Sequence, residues 1–278
     1  MTVAATTPLS YSGIRSPDVA SLTASGIYYI CYAYLDHETG DVIARMYIEQ
    51  PGGQRVLVNT WVVYDAAVLK LTTPRIIAAG DVFKIYFLDS TSGTLIRHYY
   101  LDISAGLTGN TWTAGGTLTV HADGLYDVHA LGNDDDTVIA YKNTSTFVQI
   151  ARVNGNTVST HAWFEVLGDV PVNCLAVWGD VTADKVYTAY HKDGTALMKY
   201  SHGDSDGSAH VIATCYVASD LDDVYWSAVG ICDMDGSHVA VVAEGRDDDY
   251  LTGAAQYKLV NRLVAYRKIT MGSGALSG

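Results

Sequence analysis

Glutamate is almost missing from this chain of 278 residues. Glu38, Glu49, Glu165 and Glu244 are the only four, and aspartate supplies the rest of the 30 acids. Glu suits helix interiors and Asp suits turns, so the skew argues against a helical protein and for many turns. Cations are also scarce: 17 Lys and Arg leave a net charge of −13. Nucleic acids and anionic membranes are held by clustered Lys and Arg, so neither is an expected partner. No apolar run approaches the ~20 residues of a spanning helix. Residues 1–8, Met-Thr-Val-Ala-Ala-Thr-Thr-Pro, carry neither the basic region nor the apolar stretch of a signal peptide. Cys31, Cys174, Cys215 and Cys232 are far apart and form no C-x-x-C pair. They read as buried thiols rather than a disulfide or zinc framework, which suits synthesis in a reducing cytoplasm.

What is plentiful points to strands. Twenty Tyr, 26 Gly and many Val are the residues of pleated surfaces and of the turns between them. One apolar strand type recurs: Ile27–Tyr34, Val82–Phe87, Thr137–Tyr141, Lys185–Tyr190 and His238–Ala243. Their last apolar residues, Tyr34, Phe87, Tyr141, Tyr190 and Ala243, are spaced by 53, 54, 49 and 53 residues. A polar turn follows each run, as in Asp36–Gly40, Asp89–Gly93 and Lys192–Gly194, with Asp, Asn or Gly where a hairpin needs them.

A partner strand comes next and always carries a cation: Arg45, Arg97, Arg152, Lys199 or Arg267. In the fifth repeat the hairpin holds a longer insertion around Gly245–Asp249. A short strand precedes each run and a variable one follows. Four strands per repeat of about 50 residues is the signature of a β-propeller blade. The expected fold is therefore all-β: one five-bladed propeller over residues 1–278, with blades near 17–64, 74–121, 125–167, 172–218 and 224–270. After Ile269 the chain is glycine-rich and is expected to pair poorly, so residues 2–12 are expected to close the ring as the missing strand.

Motifs for chemistry are weak. Gly203–Gly207 fits G-x-S-x-G, yet strand-like sequence follows where a nucleophile elbow needs a helix. Asp204/Asp206 and Asp233/Asp235 mimic calcium loops, with Glu244 at the twelfth position from Asp233, but Gly falls at the fourth position instead of the sixth. Both are expected to be polar turns. The acidic groups Asp134–Asp136, Asp220/Asp222/Asp223 and Asp247–Asp249 are expected to be solvated loop tips. Gly109-Asn-Thr-Trp112 is the tail of a sialidase Asp-box whose Asp position holds Leu107. The nine His form no H-x-H or H-E-x-x-H. No catalytic residue, metal ligand or cofactor is therefore assigned. The recurrent cation is expected to pair with turn aspartates, the alternative being a surface ring. Trp61, Trp112, Trp163, Trp178 and Trp226 share no repeat position, which weakens a reading as repeated sugar pockets.

The last repeat carries Val229-Gly-Ile-Cys-Asp-Met, then His238-Val-Ala-Val-Val-Ala-Glu, then Gln256-Tyr-Lys-Leu before the strand reaching Arg267. This pattern, and the similar one in Asp81–Tyr100, resembles the propeller segments of phage tail nozzle (tail tubular B-like) proteins. The resemblance implies a virion structural component of a short-tailed phage, made in the host cytoplasm, homo-oligomeric, and partnered by other tail proteins. Its acidic wall would repel passing DNA. The chain is shorter than such nozzle proteins. The expectation is thus a non-enzymatic virion protein. The alternative is a glycan-binding propeller that engages a cell-surface sugar, and a glycosidase with paired carboxylates comes third.

Overall fold

The computed structural model describes residues 14–277 except 37, 66–73, 90–93, 123, 132–134, 145–147, 162–171, 181–184, 193–196, 205–210, 218–223, 248–261 and 272–275. Every regular element among them is a strand. The first sheet holds β1 (Ile14–Ala24), β2 (Ile27–Asp36), β3 (Val42–Glu49) and β4 (Arg55–Tyr64) in that order. The second holds β5 (Arg75–Ala79), β6 (Val82–Asp89), β7 (Leu95–Asp102) and β8 (Thr113–Thr119). The third is β9 (Tyr126–Ala130), β10 (Thr137–Lys142), β11 (Val148–Asn154) and β12 (Thr157–His161). The fourth is β13 (Val172–Asp180), β14 (Lys185–Lys192), β15 (Leu197–Asp204) and β16 (Val211–Val217). The fifth is β17 (Val224–Asp233), β18 (His238–Asp247), β19 (Arg262–Thr270) and β20 (Leu276–Ser277).

The five aligned residues of the repeat all fall on second strands, and Tyr34, Phe87, Tyr141, Tyr190 and Ala243 are all buried. Their surroundings explain the continuous apolar runs. β6 is buried at every position, as a strand covered on both faces should be. The hairpins close as their turn residues dictate. Between β2 and β3, Asp36 Oδ1 accepts from the Glu38 and Thr39 amides at 2.9 and 3.4 Å, while Gly40 takes φ 83°.

One expectation is corrected. Leu276–Ser277 pair with Ile269 and Lys268 and supply the fourth strand of the last sheet, so the tail is not too glycine-rich to pair. Two non-glycine residues suffice for this short ladder. The closing strand over residues 2–12 lies outside the described residues, as do Asp220, Asp222, Asp223, Asp248 and Asp249.

The chain divides into two compact units. One comprises residues 1–122, 132–136 and 153–158, and the other residues 123–131, 137–152 and 159–278. In the first unit, one face of the first sheet (Cys31, Ala33, Ala44, Met46) packs on Phe83, Ile85 and Phe87 of the second. In the other unit, Val138, Ala140 and Ile150 pack against Leu175, Val177 and Val186. Each unit also carries a carboxylate stitch between consecutive first strands. The Ile76 amide on β5 donates to Asp18 Oδ2 on β1 at 2.9 Å, and the Val177 amide on β13 donates to Asp127 Oδ2 on β9 at 3.0 Å. A charge-assisted bond of this kind pins neighbouring sheets at their first strands.

A second correction concerns the acidic run at 134–136. Asp136 is buried instead of solvated at a loop tip. Beside it Lys84, fully buried on β6, donates its ammonium to the carbonyls of Asp135 and, at 3.2 Å, Val153. Burial pulls the Lys84 pKa down to about 8, and the charges of Asp135 and Asp136 oppose that fall.

Candidate functional site

The recurrent cation is the sequence feature that the structure turns into a site. Arg97 stands on β7 opposite Phe87 in the hairpin ladder. Its Nε lies 2.5 Å from Oδ2 of Asp89, the last residue of β6, whose side chain is 0% exposed. Here the expected pairing with a turn aspartate holds. Tyr64, at the end of β4, donates its hydroxyl to the same oxygen at 3.2 Å, and the guanidinium carbon lies 5.4 Å from that ring's centroid.

Tyr64, Phe87 and Tyr99 surround the pair. Tyr64 is 5.2 Å from Phe87 and 6.1 Å from Tyr99, and Phe87 stacks on Tyr99 at 6.0 Å. Burial works against the Arg97 charge, but the bond to Asp89 and the neighbouring Tyr64 raise its pKa above the ordinary arginine value. Burial likewise raises the Tyr64 and Tyr99 phenols. The Arg97 side chain keeps 27% of its surface, and its two Nη groups bond to nothing among the described residues.

Arg45, the equivalent residue of the first sheet, is placed differently. Its guanidinium carbon sits 5.6 Å from the Tyr34 centroid, and its buried Nε has no hydrogen-bond partner. The expected turn aspartate does not meet it. Arg152 is half-buried and engaged, and the side chains of Lys199 and Arg267 lie outside the described residues.

The other sequence candidates resolve into turns and packing. Asp233 Oδ1 accepts from the Asp235 and Gly236 amides at 3.1 and 2.8 Å, closing the β17–β18 hairpin. Asp235 is occupied by His238 Nδ1 at 2.8 Å and Lys268 Nζ at 3.2 Å, and these bonds, His238's first, lower its pKa to about 2. Gly203 and Asp204 end β15, where Asp204 pairs with Lys185; residues 205–210 lie outside the described residues, and the next described element is strand β16. Asn110 donates to the Asp102 and Gly106 carbonyls in the expected turn before Trp112.

No group of three or more metal-binding side chains occurs among the described residues. Trp61 and Trp112 meet edge to face at 6.3 Å although they share no repeat position. Trp178 packs on Tyr187 at 5.4 Å. The Trp163 side chain lies outside the described residues. Cys31 and Cys174 are buried free thiols, as expected, and burial pushes the Cys174 pKa up to about 12 and that of Cys31 higher still. Cys232 is free but exposed, which corrects its reading as buried.

No protein-family model matches the chain, and no curated protein matches its sequence. Solved structures do match. The six-bladed fucose-recognising lectin of the fungus Aleuria aurantia aligns with a TM-score of 0.55 and 12% identity, over 94% of this chain and 77% of the lectin. SapL1 lectin, solved with α-methyl fucoside, gives 0.52 and 14% over 94% of this chain and 79% of its own. AofleA of Arthrobotrys oligospora gives 0.52 and 10% over 95% and 72%. At such identities the likeness shows the fold. That fold is a β-propeller.

Proposed function

We propose that the chain is a non-enzymatic glycan-binding protein, a propeller of five blades that contacts sugar through its recurrent cation and the tyrosines beside it. The observation that carries this reading is the Arg97 centre. Sugar hydroxyls both donate and accept, and their ring C–H faces favour flat aromatic surfaces. Arg97 keeps unspent N–H donors beside a buried carboxylate, and Tyr64 and Tyr99 supply half-buried rings. The five four-stranded sheets among the described residues support the blade count.

The matched propellers include lectins that bind fucosides, which favours the glycan-binding alternative over the tail-nozzle reading. The test is a calorimetric titration of the chain with L-fucose and a panel of neutral methyl glycosides. Saturable binding that Arg97→Met abolishes is expected. A folded chain that no neutral sugar saturates overturns the proposal, and symmetric rings in negative stain would then return it to a tail component.

A further inference from the structure

Two arginines of the repeat, Arg97 and Arg45, differ in charge balance. At Arg97 the buried Asp89 carboxylate neutralises the guanidinium. At Arg45 no carboxylate does so among the described residues, and the buried Nε is unsatisfied. That Nε has no exposed surface, so an acceptor from outside can reach the guanidinium only through its outer Nη groups, which no described residue bonds.

The surroundings add a second cation. In the first sheet, Tyr32 pairs across the ladder with Arg45, and Arg45 with Thr60, on the face opposite Cys31, Ala33 and Ala44, where Ile30, Tyr34 and Ile43 are buried and Tyr32, Arg45 and Tyr47 half-buried. From the outer strand β4, Arg55 extends its Nη1 to 3.5 Å from the Tyr32 hydroxyl. Its nearest acid is Glu49 at 4.0 Å, both side chains well exposed, a pair of little strength. The face thus carries two guanidinium groups, with Glu49 4.0 Å from Arg55 and Asp36 of β2 acting on the Tyr34 ring that Arg45 covers. Tyr32 and Tyr47 stand edge to face at 5.6 Å among them, and Val62 at 59% exposure opens the β4 side of the face.

We propose that this face of the first sheet binds an acidic sugar residue, one whose carboxylate is taken by Arg45 and Arg55 while its ring lies against Tyr32 and Tyr47. A guanidinium fork matches a planar carboxylate with two parallel bonds, each stronger than a bond to a hydroxyl. The net charge of −13 opposes an anion only at long range, because physiological salt screens charges beyond ~8 Å. This inference rests on the glycan-binding reading and adds the ligand class at one of its positions.

The test compares methyl glucuronide with methyl glucoside, which share a ring and differ in the carboxylate, on the full chain by calorimetry. The glucuronide is expected to bind at least about ten-fold tighter, the scale of one charge-assisted bond. Arg45→Met should remove that advantage. Arg45→Lys, which keeps the charge and loses the fork, should keep part of it, so loss in both variants with an unchanged melting curve still reports on the site. Raising the salt from ~20 to ~300 mM should weaken the glucuronide alone. Lys268→Met, which removes a cation from the other unit, should change nothing. Equal affinity for the two glycosides, or a glucuronide preference that survives Arg45→Met, overturns the inference. If a neutral sugar still saturates the chain through Arg97, the glycan-binding reading survives that failure. If no sugar binds, both fall.

Discussion

Arg97 and Asp89 face one another across the β6–β7 hairpin at 2.5 Å, and the carboxylate has no exposed surface. Tyr64 of the adjoining sheet bonds the same oxygen, so the pair ties two sheets as well as two strands. The guanidinium is held by Asp89 on one edge and remains partly exposed on the other.

Replacing Arg97 with Met should therefore have two separable effects. Asp89 loses its cation and the fold weakens by about 1–3 kcal/mol, towards the low end because the arginine is part-exposed. Urea unfolding measures this. Arg97→Lys should recover most of that stability while neutral-sugar affinity stays low, since a point charge does not replace the fork. A lysine variant that binds sugar like the native chain would refute the assigned role.

Lys84 gives a pH signature. Its pKa is about 8 in the fold and 10.5 ordinarily. Above pH ~8 the folded chain sheds this proton while the unfolded chain keeps it, so the unfolded state binds more protons and stability rises with pH. The group's contribution grows until pH ~10.5 and amounts to roughly 2–3 kcal/mol. Tyr141 acts the other way at higher pH, because burial raises its phenol to about 12 and the unfolded phenol ionises first. Stability between pH ~8 and ~10 should climb in the native chain and stay flatter in Lys84→Met. Identical pH slopes would show that Lys84 is not buried as a cation.

Gly115 is required by a neighbour. A Cβ there would sit 1.9 Å from Nε2 of His98. That ring cannot step aside, being buried, stacked on Tyr86 at 5.5 Å and bonded through Nδ1 to the Gly116 carbonyl at 2.9 Å. Gly115→Ala should cost about 1–3 kcal/mol, and His98→Ala in the same chain should restore part of it. A non-additive gain in a double-mutant cycle by thermal unfolding is the expected readout.

The thiols should divide by burial. A thiol reagent should modify Cys232 in the native chain while Cys31 and Cys174 react only on unfolding, because burial disfavours their thiolates. Mass spectrometry of partly labelled peptides distinguishes the three. Labelling of Cys31 at the rate of Cys232 would contradict the packing of the first sheet.

Strand identity was legible in the residues themselves. The spacing from Tyr34 to Ala243 placed five equivalent second strands, because alternation and turn chemistry act within a few positions of the chain. The pairing at Arg97 was legible for the same reason, as Asp89 lies only eight residues away in its hairpin. The unpaired Nε of Arg45, the burial of Asp136 and Lys84, and the Asp18 and Asp127 stitches were not legible. The stitches and the Lys84 bonds join groups about 50 residues apart, and periodicity carries no information about which side chains meet there, nor about which hairpin aspartate turns towards its cation. The amino-acid order alone determined a repeating antiparallel chain with one cation in every hairpin. Only tertiary packing decided which cation is neutralised by a carboxylate and which is not, because that depends on the carboxylates and rings brought to it by neighbouring strands.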